Sequence, residues 1–382
     1  MKIRKEPLRV LGPVGDDDDV AAVAEVIKSG WWGNGPKVAE FEEKFAEMVG
    51  AKHAIAVTSN SHGQDLIMKA MGFKNIDVIN PTISFVATAV IPLWNDCTSN
   101  IVDVDRKTLN ITADEVAARK KPNTEVVIAV NMAGVLAPID EIRKEFSGFI
   151  IEDCAHSCYT EGAGTKGDVA IWSFQAVKTL PMGDGGMITL NDDKLAAKIR
   201  EMLWFGVSST WSRASDSTGN RPGYAWDYQV QMLGYKYYMI DILAALGLSQ
   251  LKKLDKILAR RQHVQARYNK ELHHLMARPP YSDTVQYYIA RFKESRSYAP
   301  DMSGFSTSTR DDLIKYLADK KIHTSVHFKP LHQYDLLRTQ ESFFPVANSV
   351  WPELITLPCH NWMTDEEIDY VIYWVNKFCE EL

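Results

Sequence analysis

Apolar positions change period several times between residues 20 and 200. Val38, Phe41, Phe45 and Met48 recur at helical spacing, Gly50 is placed to stop that helix, and His53 to Thr58 then reads as a short apolar strand. Further strands are predicted at Asp77-Val78-Ile79, Asn100 to Val104, Val126 to Val130, Phe149 to Glu152 and Val169 to Phe174, most of them separated by helical segments. That alternation predicts an α/β fold, a largely parallel sheet with helices on both faces, whose ligands gather beyond the carboxyl ends of the strands. Asp16 to Asp19, just ahead of Val20-Ala21-Ala22-Val23, favours a helix N-terminus through its dipole. After residue 240 the texture changes: Asp241 to Tyr268, rich in Leu, Ala and Lys or Arg, reads as one long helix, and mixed elements follow. The expected division is a large domain over 1–240 and a smaller one over 241–382, with the extreme N-terminus free to pack on the latter. Ser208 to Tyr224 is too polar and too rich in Gly and Pro for regular structure, and its length makes it a candidate flap.

The 382 residues suffice for two domains with sizeable cores. A hydrophobic content of 46% with 24% charged residues is ordinary for a globular protein and argues against disorder or a membrane channel. Lys and Arg total 43 against 49 Asp and Glu, a formal net charge of -6, which leaves no positive excess to neutralise a phosphate backbone. Nucleic acid is therefore not an expected partner. The five cysteines, at 97, 154, 158, 359 and 379, are scattered and show no zinc-ligand spacing, so a reduced, cytoplasmic compartment and no metal are expected. The N-terminus runs charged from Lys2 into Asp16 to Asp19 with no apolar core between, unlike a signal peptide or an anchor. The uncharged stretch Val78 to Asn95 approaches membrane length, but Asn80, Pro81, Ser84 and Pro92 make it a strand, a turn and a buried helix.

Candidate chemistry begins with a motif that misleads. Gly162-Ala163-Gly164-Thr165-Lys166-Gly167 is a formal G-x-G-x-x-G, yet an apolar strand follows it where a dinucleotide site needs a helix, so a hairpin-like turn accounts for it better. More informative are Asp153, closing the run Phe149 to Glu152, and Lys178, at the end of Ala170-Ile171-Trp172-Ser173-Phe174-Gln175-Ala176-Val177 and followed by Gly183-Asp184-Gly185-Gly186. If the two strands are neighbours, both groups emerge at one sheet edge. An amine and a carboxylate facing one pocket are what pyridoxal phosphate requires: the lysine bonds its aldehyde carbon, and the carboxylate keeps the pyridine nitrogen protonated so that the ring can take up electrons. Taken singly, the lysine reads as a solvated surface group and the aspartate as a helix cap.

The surrounding text decides between these readings. Ile151-Glu152-Asp153-Cys154-Ala155-His156, Ser173 to Lys178 and Gly183 to Gly186 resemble the signatures of the DegT/DnrJ/EryC1/StrS family of pyridoxal-phosphate-dependent nucleotide-sugar aminotransferases. Gly35 to Glu42, Pro81 to Ala89, Leu233-Gly234-Tyr235-Lys236-Tyr237, Ala244 to Gly247 and Val326-His327-Phe328-Lys329-Pro330-Leu331-His332 match in the family's order, so the resemblance runs from about residue 10 to the C-terminus. It implies a fold type I aminotransferase with a mostly parallel seven-stranded sheet flanked by helices and a smaller α+β C-terminal domain. Lys178 would be the Schiff-base lysine and proton carrier, Asp153 would hold the pyridinium nitrogen, His156 would sit by the ring's phenolic oxygen, and Phe85 would stack on the ring, although an aromatic at a helix start also reads as core. Ser61, the backbone of His62 and Ser173 would bind phosphate, Ser61 also reading as a plain N-cap. Lys236 falls where many relatives have an asparagine that reaches the partner subunit's phosphate, which implies a homodimer with shared active sites; a surface lysine is the alternative.

On the substrate side, His327 and His332 match family histidines, with His332 the expected contact and a structural histidine its rival reading. Asn131 stands where relatives often have His and is expected to bear on the substrate. Trp32, in the Trp31-Trp32-Gly33-Asn34-Gly35-Pro36 turn, would wall the sugar site or belong to core and turn. The implied reaction moves an amino group from L-glutamate, through the pyridoxamine phosphate form, to a 4-keto-6-deoxy or 3-keto-6-deoxy hexose on a nucleoside diphosphate, for polysaccharide, lipopolysaccharide or antibiotic-sugar pathways. Two alternatives are a pyridoxamine-phosphate-dependent sugar dehydratase, a lyase that carries His at the lysine position, and a non-catalytic regulatory relative; Lys178 counts against the first, and the intact Asp153, Ser173 and Lys178 against the second.

Overall fold

A computed structural model describes residues 1–13, 15–207, 228–293 and 309–382. The four aspartates do open a helix, α1 (Asp17–Ser29): Asp16 caps it by accepting from the amides of Asp18 and Asp19, Asp19 completes a capping box, and Gly30 ends it in the left-handed region at φ 75°. Next comes α2 (Pro36–Val49), which buries Val38, Phe41 and Phe45 and stops at Gly50. Strands and helices then alternate: β1 (His53–Val57), α3 (Asn60–Met71), β2 (Asp77–Pro81), α4 (Ala87–Trp94), β3 (Thr98–Val102), α5 (Ala113–Arg119), β4 (Thr124–Val130), α6 (Ile139–Glu145), β5 (Phe149–Asp153), β6 (Val169–Ser173), β7 (Gly186–Leu190) and α7 (Asp193–Met202).

The seven strands form one sheet in the order β1-β7-β6-β5-β4-β2-β3. Pairs from β6 to β3 are parallel, whereas β7 runs antiparallel to both its neighbours. Strand β7 is the element that the hydrophobic pattern missed, because Met187 to Leu190 follow a run of glycines read only as turns. Gly186 opens it against the start of α3; a Cβ there would come within 2.6 Å of the Asn60 amide nitrogen. β3 also starts and ends two residues earlier than the apolar run suggested.

The expected single helix over 241–268 is two, α8 (Asp241–Leu251) and α9 (Leu254–Glu271). They break at Lys252-Lys253, where Lys253 ion-pairs with Asp16 and Asp19 at the start of α1. The two pieces serve different cores: α8 packs on α1 and α2, and Ala244 and Leu248 join Phe41, Phe45 and Phe174 in their cluster. α9 instead contributes Val264 and Tyr268 to a second core, shared with Leu8 from the N-terminal segment. That core lies beside a three-stranded antiparallel sheet ordered β10-β9-β8, made of β8 (Met276–Ala277), β9 (Tyr288–Phe292) and β10 (Leu354–Leu357). Helices α10 (Arg310–Asp319) and α12 (Asp365–Glu380) bury Leu313, Leu317, Val371 and Val375 in it, and the short α11 (Pro345–Val350) lies between them in sequence. Leu8 is held there by its amide donating to Lys321 O at 2.8 Å. Val78 to Asn95 folds as strand, turn and helix, and no described helix is long and apolar enough to cross a membrane.

Candidate active site

Parallel pairing of β5 with β6 sets Asp153 opposite Ile171, so both chains leave the sheet at the same edge, as the sequence required. The lysine lies farther from its strand than expected: β6 ends at Ser173, and Lys178 sits in the β6–β7 connection. That connection is fastened by Phe174 N donating to Gly185 O at 2.9 Å and Met182 N to Phe174 O at 2.8 Å. Lys178 Nζ stands 5.9 Å from the centroid of the Tyr287 ring. Burial pushes its pKa down to about 8, against the pull of the Asp153 carboxylate.

Asp153 is 5% exposed and its carboxyl is raised by burial, an effect opposed by the Ala155 amide, the Lys178 ammonium, Asn60 and Gln64. Asn60 Nδ2 donates to Oδ1 at 3.1 Å, Gln64 Nε2 to Oδ2 at 2.9 Å, and Ala155 N to Oδ1 at 3.0 Å. Sequence reasoning missed Asn60 and Gln64. Their signal was present, since polar residues four apart at the start of α3 lie on one helix face, and here that face is buried.

His156 is 3% exposed, its Nδ1 is buried without a protein partner, and burial with the nearby Lys178 charge holds it far below the usual imidazole range. Its ring meets Tyr287 edge-on at 4.9 Å and lies nearly parallel to Phe328 at 6.1 Å. Phe85 is not core: it is 58% exposed and stands 6.2 Å from Phe328. His327 stacks on Tyr287 at 3.9 Å and shares a hydrogen bond of 2.8 Å between Nδ1 and Thr356 Oγ1. Burial and Lys178 push its pKa down to about 3. The Tyr287 ring thus stands beside the amine, and His156, His327 and Phe328 gather about that ring. Tyr287 and Phe328 were not singled out from sequence.

Several expected residues are placed otherwise. Ser59, not Ser61, caps α3, and it does so by accepting the His62 amide at 3.1 Å, so that amide is spent within the turn. The His62 ring bonds Thr58 Oγ1 through Nδ1 at 2.8 Å and stacks on Tyr237. The amides of Asn60 and Ser61 remain at the helix start, where the first turn has no intrahelical acceptors. Ser173 closes β6 opposite Gly186, whose bare Cα lets the Asn60 amide approach, so Ser173 and the start of α3 are near one another. Lys236 is exposed, in the segment whose Tyr237 carbonyl accepts the Thr58 amide.

His332 is 1% exposed, with Nδ1 bonded to Thr82 Oγ1 at 2.7 Å, Nε2 to Asn348 Oδ1 at 2.9 Å, and its ring stacked on Phe344 at 3.9 Å. Both nitrogens are committed, so it is the structural histidine and His327 is the one beside Lys178. Asn131 is fully buried, with Nδ2 donating to Glu152 Oε1 and Ser157 Oγ and Oδ1 accepting the Ala137 amide, so its two donor hydrogens are spent inside the protein. Trp32 spends its indole N–H on Ile27 O at the end of α1, and among the described residues no contact joins it to the rings around Lys178. The candidate flap at 208–224 lies outside the described residues.

The Gly162–Gly167 turn does bind an anion, but an internal one. Glu152, 1% exposed, accepts the amides of Gly164 at 2.8 Å, Lys166 at 3.2 Å and Gly167 at 3.2 Å.

The spore coat polysaccharide biosynthesis protein SpsC of Bacillus subtilis (strain 168) is 35% identical over 380 residues, 94% of each chain. Among solved structures, the aminotransferase TlmJ of Streptoalloteichus hindustanus superposes with a TM-score of 0.86 at 29% identity, covering 98% of this chain and 99% of the other. DesI, solved in the presence of its TDP-sugar product, superposes with a TM-score of 0.83 at 26% identity over 98% and 93%. The model of the DegT/DnrJ/EryC1/StrS aminotransferase family matches residues 13–376, so the chain belongs to this family and is an aminotransferase.

Proposed function

We propose that this chain transfers the amino group of L-glutamate to a keto-deoxy hexose carried on a nucleoside diphosphate, with pyridoxal phosphate bound between Lys178 and Asp153. The observation that carries this reading is the convergence of a Lys178 amine brought close to neutrality, an Asp153 carboxylate held by neutral donors, and a buried His156 Nδ1 with no protein partner. These residues fit the cofactor: an orphaned imidazole nitrogen and a carboxylate with lone pairs to spare are complementary to its phenolic oxygen and pyridinium N–H. Bound there, pyridoxal phosphate supplies an electron sink for the negative charge left when a substrate proton departs.

Lys178 would hold the cofactor and, once displaced by substrate, carry the proton between the substrate carbon and the cofactor; a pKa near 8 suits an amine that must both take and give. Asp153 would orient the ring and fix its protonated form. Asn60 and Ser61 amides, with the hydroxyls of Ser61 and Ser173, would bind the phosphate at the start of α3. Phe85 would stack on the ring's face, His156 would meet its phenolic oxygen through Nδ1, and His327 would lie on the substrate side. Lys236 would reach the phosphate of the partner's site in a cytoplasmic homodimer. The nucleotide-sugar acceptor is supported by what DesI was solved with and by the polysaccharide pathway named for SpsC.

The test mixes the protein, pyridoxal phosphate, L-glutamate and a panel of nucleoside-diphosphate keto sugars, reading 2-oxoglutarate and the aminated sugar. Turnover is expected with at least one 4-keto or 3-keto-6-deoxy sugar. Undiminished turnover by Lys178→Ala would sink the proposal.

A further inference from the structure

Because β6 ends at Ser173, the strand itself does not fix Lys178. What brackets the lysine is one buried side chain from the approach to β9. Gln286, 1% exposed, accepts the Thr179 amide and the Thr179 hydroxyl through Oε1, each at 2.9 Å, and donates through Nε2 to Val177 O at 2.9 Å. The two ends of a single planar carboxamide therefore grip the residues on either side of Lys178. The backbone carrying this clamp is itself tied down: Arg261, 2% exposed, donates through Nη1 to Val285 O at 3.1 Å, Gln286 O at 3.3 Å and Cys359 O at 3.1 Å. The next residue, Tyr287, presents its ring both to Lys178 Nζ and to His327.

We propose that Gln286 is a positioning residue for Lys178, setting the origin of the lysine stem so that its amine meets Asp153 and the cofactor; this rests on the reading of Lys178 as the cofactor lysine. A lysine stem has four rotatable bonds, and the volume its amine can reach is set by where its Cα is held. A carboxamide supplies a donor and an acceptor from one rigid plane; an ionised glutamate there would turn lone pairs toward Val177 O, and an alanine would leave the Thr179 amide and the Val177 carbonyl buried without partners.

The test loads wild type, Gln286→Ala, Gln286→Glu and Thr179→Val with pyridoxal phosphate. It measures the cofactor dissociation constant, the pH midpoint of the bound cofactor's visible absorbance, and the melting temperature of the cofactor-free protein. The dissociation constant is expected to rise on the order of tenfold in Gln286→Ala and about threefold in Thr179→Val, and the absorbance midpoint to move in each. A midpoint that stays at the wild-type value, whatever the melting temperature does, overturns the inference, because packing alone would alter stability and leave the titration of the lysine–cofactor linkage in place. Where Gln286→Ala does not fold, the near-isosteric Thr179→Val decides by the same criterion. Borohydride reduction of loaded wild type separates the two readings: cofactor fixed to another lysine, or to none, overturns the assignment of Lys178 and this inference with it, whereas cofactor fixed to Lys178 leaves the midpoint to judge Gln286 alone.

Discussion

Gln64 donates Nε2–H to Asp153 Oδ2 at 2.9 Å and to Asn60 Oδ1 at 2.8 Å, while its own Oε1 is buried without a partner. The carboxylate is thus kept by neutral donors of α3 against the cost of burial. Asp153's folded pKa lies above its unfolded value, so its ionised form opposes folding at neutral pH and the cofactor-free protein is destabilised as pH rises through that range. Asp153→Asn is expected to melt at or above the wild-type temperature at pH 7 without cofactor, because Gln64 can turn its unpartnered oxygen toward the new amide, and to bind pyridoxal phosphate far more weakly. Gln64→Leu should do the reverse to the charge and weaken cofactor binding on the order of tenfold or more, about the effect of one hydrogen bond to a charged group. Melting curves and absorbance titrations of the two variants check both.

Lys178 gives a pH dependence of opposite sign. Its folded pKa is pushed down to about 8, while an unfolded lysine keeps its proton to about 10.4. Between these values the unfolded chain binds more protons, so stability rises with pH. In Lys178→Met this rise should vanish, and the variant should be the more stable below about pH 8. The neutral amine is also the form that captures pyridoxal phosphate, so the rate of cofactor capture should climb about tenfold per pH unit below 8 and level above it. A capture rate independent of pH would contradict the depressed pKa.

The two histidines should separate cleanly. His332→Ala removes two hydrogen bonds and a stacked ring from the interior and is expected to cost about 2–4 kcal/mol of stability, with the cofactor dissociation constant of the folded protein unchanged. His327→Ala should weaken cofactor or substrate binding. His327 remains neutral down to about pH 3 in the folded protein, so it contributes stability that is present above about pH 6.5 and lost as the medium is acidified toward 3. His327→Phe should flatten that acid limb of the melting profile.

Gly186→Ala tests how closely α3 approaches the sheet. The added methyl would lie 2.6 Å from both Asn60 N and Ser59 C, which are backbone atoms and cannot rotate aside. A loss of about 1–3 kcal/mol is expected from such overpacking, together with weaker pyridoxal phosphate binding as the helix start is displaced. Gly183→Ala, at φ 92° with open space around it, should show backbone strain in the melting temperature and leave cofactor affinity near wild type.

What could be read from the sequence followed from local pattern. Asp153 and Lys178 were legible because an apolar run ending in a carboxylate, and another leading to a lysine, fix a shared edge once the strands pair in parallel. His332 was misjudged because burial of both its nitrogens depends on Thr82 and Asn348, which only the fold brings near. Asn131 failed for the same reason, its amide being absorbed by Glu152, Ser157 and Ala137. Lys253 divides α8 from α9 through aspartates more than 230 residues away, a distance over which periodicity carries no information. Gln286 is the plainest case, since nothing in its neighbours announces a grip on residues 177 and 179.

Neighbouring residues on a strand face opposite ways, and at the end of β5 that alternation sorts two acids into two trades. Glu152 is moored beneath by the loop of residues 162–167, while Asp153 is offered above to α3 and the amine. A deletion of one residue within 149–151 would trade the faces they occupy, sending the longer acid toward the ring cluster and the shorter one toward a loop it is too short to fill. The glycine-rich turn that imitates a nucleotide site therefore acts as a register mark, fixing which of two adjacent carboxylates faces the chemistry.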